Sequence, residues 1–164
     1  MRPDGCTAQA VFTDRVSGRT FGVHTHQGLS AGSTWARGQA WALLGYARLA
    51  RDTGDAGAAR VARALAGCWL AKAPKTGPVL FDLDATAGPP DSSARAVAAA
   101  GLATLGRRAA ARTQLGIVEA MVSAVPPLGR LGGQTYVAGG DLSDDDVELP
   151  IGQLYVLEAL ARLR

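Results

Sequence analysis

A chain of 164 residues that is 48% hydrophobic and 19% charged is long enough for one ordinary domain and apolar enough to bury a core, which excludes a disordered segment. Its net charge of +3 arises from 17 basic and 14 acidic residues. The basic ones, nearly all Arg, are scattered and not interleaved with aromatics, so no nucleic-acid partner is expected. No apolar run approaches the ~20 residues that a membrane span requires, so no membrane partner is expected either.

The opening Met1-Arg2-Pro3-Asp4-Gly5 lacks an apolar core of the secretory kind. Cys6 and Cys68 lie far apart and lack CxxC spacing. One disulfide is open to them, but the favoured reading is two thiols in a reducing, cytoplasmic compartment. With only 5% aromatic residues and abundant Ala and Gly, the composition favours closely packed helices over a β-sandwich.

In chain order, residues 8–12 and 20–26 flank Ser17-Gly18 and read as a small hairpin. A helix is expected over 34–52, capped by Ser33 or Thr34 and ended by Gly54. Its front half is apolar nearly all round, which suggests burial on both sides. A second helix over 56–73 has Asp55 as cap and Pro74 as stop, with Val61, Leu65, Cys68 and Trp69 on one face. Residues 74–91 hold four of the eight prolines and read as a long ordered loop. A third helix follows Asp91-Ser92-Ser93 and runs to 105. A fourth covers 107–124 with Leu115, Val118, Val122 and Val125 as its stripe, and a fifth covers 149–163. The fold class is therefore all-α: helical hairpins of an incomplete α/α toroid, with a short N-terminal hairpin.

Five motifs are more specific than any periodicity. His26-Gln27-Gly28 precedes Trp35-Ala36-Arg37-Gly38-Gln39-Ala40-Trp41 at short range. Phe81-Asp82-Leu83-Asp84-Ala85, Asp91-Ser92-Ser93-Ala94 and Gly152-Gln153-Leu154-Tyr155-Val156-Leu157-Glu158-Ala159-Leu160 follow. Together, and in order, they resemble the HQG, WARGQAW, WDFDAP, DSSA and GDYYFLEAL segments of glycoside hydrolase family 88, the unsaturated glucuronyl hydrolases. The match covers almost the whole chain.

The resemblance implies an (α/α)6 toroid that removes a 4,5-unsaturated uronic acid from the non-reducing end of lyase-generated oligosaccharides. In the family an aspartic acid protonates the vinyl ether and activates the water that hydrates it, unlike the usual carboxylate pair of glycosidases. The resemblance places both catalytic aspartates in an N-terminal half. Residues 1–164 then correspond to the C-terminal half of the barrel, with Met1 an internal start and no catalytic residue expected here. The expected partners are the unsaturated uronate oligosaccharide and either a missing N-terminal half or further copies of the chain, with no cofactor.

The residues themselves suit this chemistry. Arg37 and Trp41, four apart on a helix, could fork to a carboxylate and stack on a sugar ring. A structural Arg packed on a core Trp is the plainer reading. Helical spacing sets Trp35 about 120° from that line, yet the motif makes it a wall of the pocket. His26 and Gln27 could meet hydroxyls from the preceding loop. The substrate-binding candidates are thus His26, Gln27, Trp35, Arg37 and Trp41.

Gln39 reads as structural, Asp82 and Asp84 as loop-ordering acceptors, Asp91 as a helix cap, and Asp144 to Asp146 as a solvated loop. A metal at His24 and His26 lacks a third ligand. Departures from the family pattern at Ala31-Gly32, Glu148 and Gln153 bear on substrate preference, sulfated sugars included. A non-catalytic sugar-binding module and a sugar epimerase are the alternative functions.

Overall fold

The computed structural model describes residues 1–122, 131–135 and 149–164. Its elements are β1 (Ala10–Thr13), β2 (Thr20–His24), α1 (Ala36–Thr53), α2 (Ala56–Lys72), α3 (Ser92–Thr104), α4 (Arg108–Glu119) and α5 (Pro150–Leu163). The strands form an antiparallel hairpin with Ala10 opposite His24 and Phe12 opposite Gly22. Its turn closes where Asp14 Oδ1 accepts from the Val16 and Ser17 amides. Gly18 there adopts a φ of 69°, a left-handed conformation that glycine enters without a Cβ clash.

The helices begin and end close to where their capping signals lie. Asp55 caps α2 by accepting from the Ala58 amide at 2.8 Å, and Asp91 caps α3 in the same way. Gly54, at φ 70°, ends α1. Pro74 holds the preceding Ala73 extended, which stops α2.

One cap differs. Neither Ser33 nor Thr34 caps α1, whose N-cap residue is Trp35 with no side-chain cap bond. Ser33 Oγ and the Thr34 amide instead donate to Asp82, and the Ala36 amide donates to the Phe81 carbonyl at 2.9 Å. A segment remote in sequence therefore satisfies the first orphan amide of the helix and holds the two residues before its N-cap. The fourth helix also ends earlier than its stripe suggests, at Glu119, so Val122 lies beyond it and Val125 outside the described residues.

Contacts run α1 to α3 and α3 to α5, with α2 against α1 and α4 against α3 and α5. Inner helices alternate with outer ones in hairpins. The centre is α3, buried from Ser92 to Ala103. Its Ala-rich sequence allows close approach: a Cβ on Gly101 would lie 2.9 Å from Leu43 Cγ and 3.1 Å from the Leu44 amide. The front half of α1, buried or half-buried throughout, packs here as its apolar pattern implies.

Arg95 is the charged residue within buried α3. Burial pushes its pKa down to about 10. It is held by the Gln114 amide oxygen at 2.6 Å and by the Pro74 and Gly77 carbonyls, so it anchors the 74–77 turn.

The two cysteines are not thiols. Cys6 and Cys68 form a disulfide with a Cα separation of 5.4 Å, which corrects the reduced reading. Residues 62 apart meet because the N-terminal segment folds back over α1 and α2. There the Thr7 amide donates to Gln39 Oε1, and Gln39 Nε2 reaches the Gly5 and Leu65 carbonyls. Gln39 is structural, as its small apolar neighbours suggest. No helix among the described residues is long and apolar enough to cross a membrane.

Candidate functional site

Three loops converge before α1 and α3, and Asp82 is where two of them join. Its Oδ2 accepts from the Leu29 amide at 3.0 Å and Ser33 Oγ at 2.6 Å. Its Oδ1 accepts from the Thr34 and Asp84 amides. One buried carboxylate thus ties the segment entering α1 to the Pro-rich loop, the ordering role its position in a loop implies. Asp84 points to a different partner, Lys72, with which it forms an ion pair. Burial raises the Asp84 pKa, but Lys72 and Thr34 together outweigh it and the carboxyl sits below its ordinary value. The two aspartates do not act on one bond.

Gly28 closes the His26-Gln27 turn onto this joint. A Cβ there would lie 2.6 Å from Thr25 Oγ1, 2.9 Å from Asp82 Oδ2 and 3.3 Å from Trp35 Cβ, so only glycine fits. His26 is exposed and Gln27 half-buried. Their backbone amides both donate to Gln9 Oε1, at 2.7 and 2.9 Å. Gln9, just before β1, was invisible as a site residue in the sequence. A lone glutamine carries no motif, and only the hairpin brings it to residues 17 and 18 positions later.

Trp35 corrects the helical-wheel reading. It precedes the first turn with extended φ and ψ of −54° and 119°, so the 100° step between helical residues does not apply to it. Its indole lies across Gly38, where a Cβ would come within 2.5 Å of Cε3. Arg37 stands over that indole, its guanidinium carbon 5.4 Å from the ring centroid.

Arg37 is 4% exposed, with Nη1 3.6 Å from Asp91 Oδ2 and 3.3 Å from Ser93 Oγ. Burial raises the Asp91 pKa, against the opposing pull of Arg37 and of the Ser93 hydroxyl. The Arg therefore lies over a Trp, and that Trp is Trp35 rather than Trp41. Trp41 sits one turn further along α1, edge-on to Tyr155 of α5 with centroids 5.0 Å apart. The geometry thus joins Trp35 to Arg37 and, through Gly28, to the His26-Gln27 turn. It sets Trp41 apart, toward α5. Asp91 was legible as a cap, but its second role as the Arg37 counter-ion comes from tertiary packing alone.

No group of three or more His, Cys, Asp or Glu that could hold a metal occurs among the described residues. His24 lies beside Phe12 on the hairpin.

Helical hairpins with inner and outer helices, and a polar rim of loops at the inner helices' starts, define an incomplete α/α toroid. No family model matches the sequence. Across nearly its whole length, the chain is similar to proteins named unsaturated glucuronyl hydrolase. It is 32% identical to the unsaturated glucuronyl hydrolase of Bacillus sp. (strain GL1) over 99% of this chain and 48% of that one. It superposes on the crystal structure of the enzyme from Bacillus sp. GL1, described as responsible for the degradation of glycosaminoglycan, with a TM-score of 0.87 and 30% identity, again over 99% and 48%. A mutant enzyme from Streptococcus agalactiae complexed with dGlcA-GalNAc6S superposes with a TM-score of 0.78 at 26% identity and the same coverage. The chain spans about half the length of the curated relatives it matches.

Proposed function

We propose that this chain supplies the sugar-binding half of an unsaturated glucuronyl hydrolase. The complete enzyme would hydrate the 4,5 double bond of a non-reducing-end unsaturated glucuronate, so that the resulting hemiketal opens and releases the adjoining sugar. The observation that carries the reading is the end-to-end superposition, at a TM-score of 0.87, on an enzyme of that name. The dGlcA-GalNAc6S complex of a neighbour supports the substrate class.

In this reading His26 and Gln27 meet sugar hydroxyls and Arg37 receives the carboxylate at the edge it shares with Trp35. Trp41 lines the wall toward α5. Hydration needs a carboxylic acid within hydrogen-bond reach of the alkene carbon. Asp82, Asp84 and Asp91, the carboxylates of these loops, are all occupied by the bonds and pairs described above. The acid is therefore assigned to a carboxylate other than these, and the chain by itself is expected to bind without turnover. The Cys6–Cys68 disulfide supports an oxidising compartment in place of the reducing, cytoplasmic one expected from two free thiols.

The test is calorimetric titration of the chain with an unsaturated uronyl disaccharide, with the ultraviolet absorbance of the double bond followed in parallel. Binding without loss of absorbance is expected. Arg37→Ala should weaken binding by about 2 kcal/mol, and Arg37→Lys should recover little, because the planar fork is lost. Absence of binding overturns the reading. Steady turnover abolished by replacing a carboxylate of this chain overturns the assignment of the acid.

A further inference from the structure

We infer that the cavity between the end of α2 and the start of α4 is a binding site for a small organic carboxylate, held by Lys75 and the Gln114 amide. None of the residues given a sugar-binding role lines this cavity, so the inference does not rest on that role.

Arg95 carries a full positive charge into the interior without a counter-ion. It is inaccessible and bonds only to neutral oxygens, those of Gln114, Pro74 and Gly77. Its Nε has no partner among the described residues, and no Asp or Glu among them acts on its charge. Burial alone moves its pKa, downward to about 10, as expected of a cation that nothing neutralises. An uncompensated buried charge is costly, and a carboxylate held close by lowers that cost.

Two of the groups that hold Arg95, Pro74 and Gln114, also wall a cavity of about 200 Å³. Gln114 accepts from Trp69 Nε1 at 3.2 Å and from Arg95 Nη1 at 2.6 Å. Both partners can only donate, so the atom between them is the amide oxygen. The Nε2 end of Gln114 then points away from Arg95. It donates to no described residue and is not sealed from solvent, so it is the end that Gln114 turns to the cavity. Lys75 adds an ammonium, and no Asp or Glu is among the described residues of the lining. Leu70, Ala73, Pro74 and Ala110 supply an apolar wall. Donors beside an apolar wall suit a carboxylate on a short carbon body, and the volume suits one ring rather than an oligosaccharide. A carboxylate oxygen accepting from Nε2 also polarises the amide and strengthens both bonds to Oε1. The ligand's charge thereby reaches Arg95 through Gln114.

Benzoate is the probe. The full chain is titrated with it at neutral pH while the indole N–H resonances are followed by NMR, with Trp69 assigned through Trp35→Phe and Trp41→Phe. The Trp69 resonance should shift downfield and saturate, because Trp69 donates to the oxygen that the ligand polarises. Lys75→Ala, at an exposed position, should fold as the wild type does and weaken binding about fivefold or more. Gln114→Glu keeps an acceptor for Trp69 and Arg95 and gives Arg95 a counter-ion, so it should fold and lose benzoate binding. Lys75→Ala carries the test if it does not fold. Equal shifts with benzyl alcohol would show that the charge plays no part. Saturable shifts with inorganic sulfate but not benzoate would show an adventitious ion only. Either result overturns the inference, as does an unmoved Trp69 resonance, or benzoate binding that is unchanged in the variants that fold. None of these results bears on the sugar titration above, so the two fail separately.

Discussion

The Arg37–Asp91 pair sets two buried charges side by side. Both are nearly inaccessible, and Asp91 Oδ2 has no hydrogen bond beyond its 3.6 Å approach to Arg37. Removing one partner of a buried pair typically costs about 3–5 kcal/mol, whereas removing both can be close to neutral. Arg37→Met and Asp91→Asn should each lower the unfolding free energy by roughly that amount, and the double variant by clearly less than their sum. Denaturant unfolding of the four proteins checks this, and strict additivity would show that the pair is not coupled. Arg37 sits at the candidate site, so stability and binding must be read separately in any Arg37 variant. Spacing alone made Trp41 its partner. The extended backbone of Trp35, which precedes the helix, brings a different indole beneath it.

At the scale of elements, the N-terminal segment is fastened to the helices in several ways. Arg2 donates to the Gly32 and Ser33 carbonyls and to Thr34 Oγ1, Thr7 binds Gln39, and Cys6 is joined to Cys68 of α2. Closing a loop between residues 62 apart removes much of the freedom of the unfolded chain, an effect of about 4 kcal/mol in the chain-entropy view. Replacing both cysteines with Ser should therefore lower the melting temperature markedly, and added reductant should shift only the wild type. Identical melting of the oxidised and reduced protein would contradict a stabilising disulfide. The helices themselves were legible because caps and breakers act locally: Asp55, Gly54, Asp91 and Pro74 each decide a boundary through their own neighbours. The capping of α1 was not, because its first amide, Ala36, donates to Phe81, more than forty residues away, while Asp82 takes the Ser33 hydroxyl and the Thr34 amide.

For the molecule as a whole, two consequences follow from its surface and charges. Leu154, Leu157 and Leu160 on α5 are 57%, 65% and 38% exposed, an apolar stripe with no cover among the described residues. Such patches promote association. Light scattering should show mass rising with concentration, and Leu157→Glu should reduce it. A monomer at every concentration would sink the expectation.

Acid should also destabilise the fold. The Cys6 amide lowers the Asp4 pKa. For Asp84 and Glu158, burial acts upward but is outweighed by Lys72 with Thr34 and by Arg48 with Arg162 respectively. A depressed folded pKa contributes stability that is present above the unfolded value and lost as pH falls through the folded one, a window below about pH 4.5. Asp91, pushed upward by burial, acts in the opposite sense, contributing at low pH and losing that contribution as pH rises through its folded pKa. Asp14, through the Ser17 amide, and Asp52, through Arg51, are depressed as well, so the depressed groups outnumber it and the denaturation midpoint should fall from pH 5 to pH 3, less steeply in Glu158→Gln. A midpoint that rises over this range would show that Asp91 dominates.

The sequence by itself determined the helical class, the five helices to within a few residues and the motif set that ties the chain to its relatives. Each of these is written in short-range patterns: period, caps, breakers and contiguous signatures such as Trp35 to Trp41. Tertiary structure alone decided what those signatures touch. It joined Cys6 to Cys68, gave Arg37 the counter-ion Asp91 and the indole of Trp35, turned Trp41 toward Tyr155, and set Gln9 beneath the His26-Gln27 turn. The physical reason is that a side chain's partner depends on which distant backbone the packing of α1 against α3 brings within a few ångströms, and no local pattern encodes that distance.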